Sequence, residues 1–162
     1  MSHEAVIYGV IVGTTLHVSA GYRTLQTLNE KIIRSLPTDD HHPSVDVSIF
    51  ALPGPQLVGT YRSQLIHFGL TLSENTSPIF TDDGQYWDWH YVWIGKFEAV
   101  LKQLYWTSAR VILESDFNPR RREFTWKPTD EALQRMYDEP YAPIAAWDRV
   151  MRVLEGEKLF GT

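Results

Sequence analysis

Asp88 and His90 stand two residues apart inside DDGQYWDWHYVW, residues 82–93. On an extended strand, side chains two apart share a face. An Asp and an imidazole at that spacing would form an acid–base pair able to pass a proton. Tyr86 would join them on that face, with Trp87, Trp89 and Tyr91 turned the other way. The competing reading is a polar edge beside an aromatic core strand. Asp82 and Asp83 are adjacent, so their carboxylates tend to diverge rather than work as a pair. TDDHHP, residues 38–43, offers two carboxylates and two imidazoles of the kind metals use. Consecutive residues do not readily converge on one ion, and a solvated turn accounts for them, so no metal site is expected. Gly9, Gly13 and Gly21 match neither the dinucleotide nor the phosphate-loop glycine spacing. There is no GxSxG elbow for a nucleophilic serine. No catalytic triad and no cofactor are expected.

Arg120, Arg121 and Arg122 precede Phe124, Trp126 and Lys127, a grouping that could meet phosphates and stack on bases. It is one short run in a chain of net charge −5 and pI ≈ 5.6, where nucleic-acid binding calls for a basic footprint. A solvated loop, or pairing with acids of the same chain, is the preferred reading, and no nucleic-acid partner is expected. The absence of cysteine removes disulfides, thiolate catalysis and Cys-based zinc sites, and it fits a reducing compartment. The apolar run at residues 5–12 has no basic flank and is too short for a signal peptide or a membrane span, which points to a cytoplasmic protein with no membrane partner.

The elements that must position these residues follow from periodicity. With 162 residues and 43% hydrophobic content, one domain over 1–162 is expected. Residues 5–12 read as a central strand, being nearly continuous in apolar residues. Leu25, Leu28, Ile32 and Leu36 mark a helix over 20–36 that Pro37 ends. Residues 45–52 alternate as a half-buried strand. Ile66, Phe68, Leu70 and Leu72 alternate in a second, antiparallel to it across a short connection. Trp93, Phe97, Val100, Leu101 and Leu104 keep helical spacing, and 110–113 is a short strand. Residues 117–128 read as a loop or irregular hairpin. Thr129 caps a helix that runs to about Tyr137, and Pro143 opens a last helix with Ile144, Trp147, Val150, Met151 and Leu154 inward. The expected fold is α+β: one mostly antiparallel sheet packed by about four helices.

YGVIVG at 8–13, the Trp-rich approach to a helix, and W-x3-FEAVLKQLYWTSARVILE at 93–114 resemble the small immunity proteins of bacterial toxin systems, over about a third of the chain. The resemblance is to their general style and selects no particular immunity family, so it transfers no site residues. It implies a non-enzymatic cytoplasmic binder that docks on a cognate antibacterial toxin and occludes its active site. The residues are compatible with this. Aromatics make up 13% of the chain, with six Trp, and such side chains are favoured at interfaces as well as in cores. An acidic inhibitor would suit a basic nuclease-type toxin, though other toxin activities fit too. The expected partner-binding surface is Asp82, Asp83, Trp87, Asp88, Trp89 and His90, with Asp39 and Asp40 as outlying members. Aromatic anchors would be buried there and aspartates paired with toxin Arg or Lys. The alternative is an enzyme of unknown class using Asp88 and His90. Self-association through the aromatic patch is a third reading.

Overall fold

A computed structural model describes residues 3–13, 21–38, 41, 43–52, 65–74, 79–80, 86–87, 89–115 and 121–154. Its elements are β1 (His3–Gly13), α1 (Gly21–Arg34), β2 (Phe50–Ala51), β3 (Leu65–Glu74), β4 (Ile79–Phe80), β5 (Tyr86–Trp87), α2 (Trp89–Leu101), β6 (Trp106–Ser115), β7 (Arg121–Pro128), α3 (Asp130–Asp138) and β8 (Trp147–Leu154). Six strands form one antiparallel sheet in the order β2-β3-β1-β6-β7-β8, and β4 pairs with β5 separately. The class is α+β, with three helices among the described residues.

β1 is central, as its apolar run requires, with β3 on one side and β6 on the other. The register places Ile7 opposite Leu70 and Leu113, and Ile11 opposite Ile66 and Ala109. Since facing residues share a face, the alternation carries on through Val111, Phe124 and Trp126. That face is the core. Trp93, Ile94, Phe97 and Leu101 of α2, Ile33 of α1 and Met136 of α3 close over it, so all three helices share one cluster. Aromatic contacts tie the layers: Phe97 lies 5.0 Å from Phe68 of β3 and 5.2 Å from Trp126 of β7.

Several expectations need correction. Residues 47–49 form a 3₁₀ turn, so only Phe50 and Ala51 of the 45–52 run pair with β3, and thirteen residues separate β2 from β3. The physical reason is Asp46, whose carboxylate accepts from the Ser48 backbone N–H at 2.9 Å and from the Ser48 hydroxyl, a local bond that competes with the ladder. Residues 121–128 are a strand, where a loop or irregular hairpin is expected. The residues facing the core in β7 are Arg122, Phe124, Trp126 and Pro128, so charge at the start conceals a period of two. Residues 147–154 are also a strand, which brings the helices from about four to three. Spacings of three and four in a short apolar run suit either element. Pairing with β7 along eight registered positions decides for the strand.

In α1 the buried line is Leu25, Asn29 and Ile33, with Leu28 and Ile32 only half-buried. The polar member is satisfied, since the Asn29 amide donates to the Tyr105 carbonyl and accepts from the Tyr105 N–H, both at 2.8 Å. This pair of hydrogen bonds anchors α1 to the turn between α2 and β6. The helix expected after Thr129 is present. The Thr129 hydroxyl accepts from Ala132 N–H at 3.2 Å, with Asp130 and Glu131 in the first turn. Thr129→Ala is expected to cost about 1 kcal/mol, read as a drop in urea midpoint. Thr129→Ser should recover most of it, whereas equal losses in both variants would mean the hydroxyl does not cap α3.

Candidate functional site

The first turn of α2 carries three consecutive rings with different surroundings. Trp89 is half-buried against the core cluster, His90 is 5% exposed and Tyr91 is 45% exposed. The helical phase explains the split. Trp93, Ile94 and Phe97 must face the sheet, and His90, three before Trp93 and four before Ile94, falls on their side. The strand geometry expected for Asp88 and His90 therefore does not apply at His90, which is helical. Its Nε2 lies 2.9 Å from Arg122 Nη1 on the core face of β7. A guanidinium can only donate, so Nε2 accepts and the ring proton of the neutral imidazole belongs on Nδ1. Tyr91 packs over the imidazole at 4.3 Å between centroids, and Trp89 meets it edge-on at 5.9 Å.

A second segment is fastened to the same helix. Lys96 Nζ donates to the His41 carbonyl at 2.7 Å, and Trp93 Nε1 donates to the Ser44 carbonyl at 3.1 Å. Pro43 and Val45 are buried beside these bonds. From Trp89 to Lys96 the helix rises about 10 Å. His41, which follows Asp39 and Asp40, and Trp89, which follows Asp82, Asp83 and Asp88, are thus borne by one short stretch of α2. Those five aspartates lie outside the described residues. Trp87 belongs to β5, opposite Ile79 in β4, and its side chain is outside the described set.

The opposite face of the sheet is covered by no described helix. Val6 and Tyr8 of β1 are each 36% exposed there, and polar pairs cross the strands beside them. The Tyr8 hydroxyl donates to Glu114 Oε1 at 2.9 Å and accepts from Arg121 Nη2 at 3.3 Å, while Arg121 Nε lies 3.2 Å from the same carboxylate oxygen. Arg110 and Glu123 pair at 2.8 Å. Arg121 and Arg122 therefore point to opposite faces, one to Glu114 and one to His90, and do not act as a joint basic patch. Arg120 lies outside the described residues. Burial, and then the Glu114 carboxylate, raise the Tyr8 phenol above its ordinary pKa, against the opposing pull of Arg121. A raised folded pKa means a contribution that is complete below the unfolded value, about 10 for Tyr, and lost as pH climbs through the folded one. The stability advantage of wild type over Tyr8→Phe should accordingly shrink above about pH 10. Urea midpoints of both proteins at neutral and alkaline pH measure this, and a constant difference would contradict the link.

Among the described residues no group of three His, Asp or Glu side chains is placed to hold a metal ion. A cavity of about 160 Å³ between α3 and residues 142–146, lined by Glu131, Arg135, Met136 and Ile144 among others, is smaller than ligand pockets of about 300–1,000 Å³. No described helix is long and apolar enough to cross a membrane. Tyr91 and Arg122 escape the sequence reading as site residues. The helical phase set by Trp93 and Phe97, carried back four residues, would have turned Tyr91 outward and His90 inward. Arg122 could have been found from the alternation with Phe124 and Trp126.

The fold and these contacts define an α+β protein with an open antiparallel sheet, helices over one face, and an exposed tyrosine at the start of α2. No family model, no curated protein and no solved structure matches the chain.

Proposed function

We propose that the protein is a non-enzymatic cytoplasmic binding protein, an immunity protein that docks on a cognate antibacterial toxin and occludes its active site. The observation that carries this reading is the convergence on α2. The residues that follow the two acidic segments, His41 and Trp89, are attached to one helix, and Tyr91 stands exposed at its start. An exposed tyrosine with carboxylates nearby in sequence is the composition of an interface anchor inside a charged rim. The buried rings beneath hold it on a rigid support, which limits the ordering cost of binding. The aspartates would pair with Arg or Lys on the toxin and speed encounter, in keeping with a net charge of −5. The toxin's own chemistry is open, with a basic nuclease the electrostatically best match.

The buried, Arg122-bound imidazole of His90 favours this reading over the alternative of an acid–base enzyme built on Asp88 and His90. The test is co-purification of the tagged protein with the product of the adjacent gene, followed by titration of that product's activity. The expected result is a stoichiometric complex in which the activity is silenced, and in which Tyr91→Ala weakens binding by at least about tenfold. A folded protein that neither binds nor silences the neighbouring gene product would refute the proposal.

A further inference from the structure

β8 is the edge of the sheet among the described strands, and it is long for an edge. Natural edges of this length are usually shortened, bulged or covered, because free backbone N–H and C=O groups recruit another strand. β8 also leaves apolar side chains in solvent: Val150 is 59%, Met151 49% and Val153 40% exposed. Asp148 and Arg152 are exposed as well and have no ion-pair partner among the described residues. Arg149, by contrast, is turned back onto Glu98 of α2 at 2.9 Å.

From this strand we infer that the protein forms a twofold dimer in which β8 pairs antiparallel with β8 of a second copy, with Val150 on the axis. The register follows from charge. A dyad perpendicular to the sheet keeps each face continuous and must pass through a residue that faces itself. Centring on Arg149 or Arg152 would oppose like charges, and centring on Met151 would set Arg149 against Val153 and Arg152 against Val150. Centring on Val150 places Asp148 opposite Arg152 of the second copy, twice, with the two Val150 side chains between them. Opposite charges in facing positions stabilise a strand pair and like charges destabilise it.

The flanking strands extend the match. Within one copy Lys127 faces Asp148 and Glu123 faces Arg152. Across the dyad the row therefore reads Glu123, Arg152, Asp148, Lys127, with sign alternating at each step and the last two from the second copy. On the core face the same register sets Met151 against the Arg149 stem and Val153 against Trp147, covering apolar surface that is otherwise in water. The dimer uses the sheet edge and is independent of the α2 surface assigned to a toxin.

The chain has no cysteine, so a single introduced thiol reports register directly. Sedimentation of the full-length wild type at micromolar to sub-millimolar concentration should show a dimer. Asp148→Arg and Arg152→Asp should each raise the dimer dissociation constant by at least about tenfold. An equal mixture of the two variants should recover dimer as a mixed species, since each then meets its opposite charge twice. Circular dichroism on each variant checks folding. Val150→Cys should form a disulfide-linked dimer on mild oxidation, faster than Arg149→Cys or Met151→Cys. A wild type that stays monomeric overturns the inference. So does a dimer that either charge reversal leaves intact, that mixing does not restore, or that crosslinks best at a position other than 150.

Discussion

Trp93→Ala is expected to remove about 3–5 kcal/mol of stability and to free the chain around Ser44 from α2. Trp93 has no exposed surface, and its ring stacks on Phe97 at 5.2 Å with 12° between planes, 6.2 Å from Phe68. Removing it opens a ring-sized cavity where α2 meets β3, in an interior whose neighbours relax only partly. The indole N–H also holds the Ser44 carbonyl, so the same substitution cuts the tie that brings residues 43–46 onto the helix. With a total stability of about 5–15 kcal/mol, the loss is about a fifth of the whole or more. At a urea m-value of about 2 kcal/mol/M the midpoint should fall by roughly 2 M. Trp93→Phe keeps much of the ring contact but loses the N–H and part of the indole's volume, so it should cost less, about 1–2 kcal/mol. Equal losses in the two variants would mean that the ring does not carry the packing.

Gly9→Ala should be nearly as damaging, and in a strand its sign is diagnostic. Gly in a strand interior ordinarily costs about 0.5–1 kcal/mol relative to Ala, so Ala should help where space allows. At Gly9 a Cβ would collide with the backbone carbonyl oxygen of Arg110 and stand 2.6 Å from Phe68 Cζ. Arg110 belongs to β6 in mid-sheet, paired with Val10, so its carbonyl cannot withdraw without breaking the ladder. Phe68 is held in turn by Phe50 at 5.8 Å and Phe97 at 5.0 Å. Overpacking of this kind costs about 3 kcal/mol or more when backbone blocks the way. Gly69→Ala is the internal control. Its Cβ would meet only ordinary contacts, 3.6 Å to Ile7 O and 3.7 Å to Tyr8 Cβ, and the change should be neutral or slightly stabilising. Similar losses at both positions would contradict the close approach at Gly9.

The parts of the fold legible in the sequence are those where one physical signal acts alone. β1 is read as a central strand from a nearly continuous run of apolar, mostly β-branched residues. α3 is read from Thr129 and the acids behind it, and α2 from Trp93, Phe97, Val100 and Leu101. Where two signals compete, the reading fails. Trp147, Val150, Met151 and Leu154 fit a helical face, yet the same residues pair strand-wise with β7 while Val150 and Met151 stay in solvent, so no burial pattern could have separated the two. β7 is hidden by Arg121, Arg122 and Glu123, whose partners lie on α2 and β6 and cannot be known from their neighbours in sequence. The site shows the same division. Aromatic density locates the start of α2, but whether His90 or Tyr91 faces out depends on helical phase, and a strand reading of residues 86–91 reverses it. That residues near 41 reach the same helix depends on Lys96 and Trp93 bonding to backbone carbonyls about fifty positions away, which no spacing rule reveals.

We propose α2, with the segment fastened to it, as the surface that takes the toxin. Backbone hydrogen exchange of the protein, alone and with the adjacent gene's product, tests it most directly. Slowed exchange is expected in residues 41–46 and 89–96 on complex formation, with the far sheet face at β1 and β6 unchanged. Protection confined to that sheet face or to β8, with α2 unaltered, would contradict it.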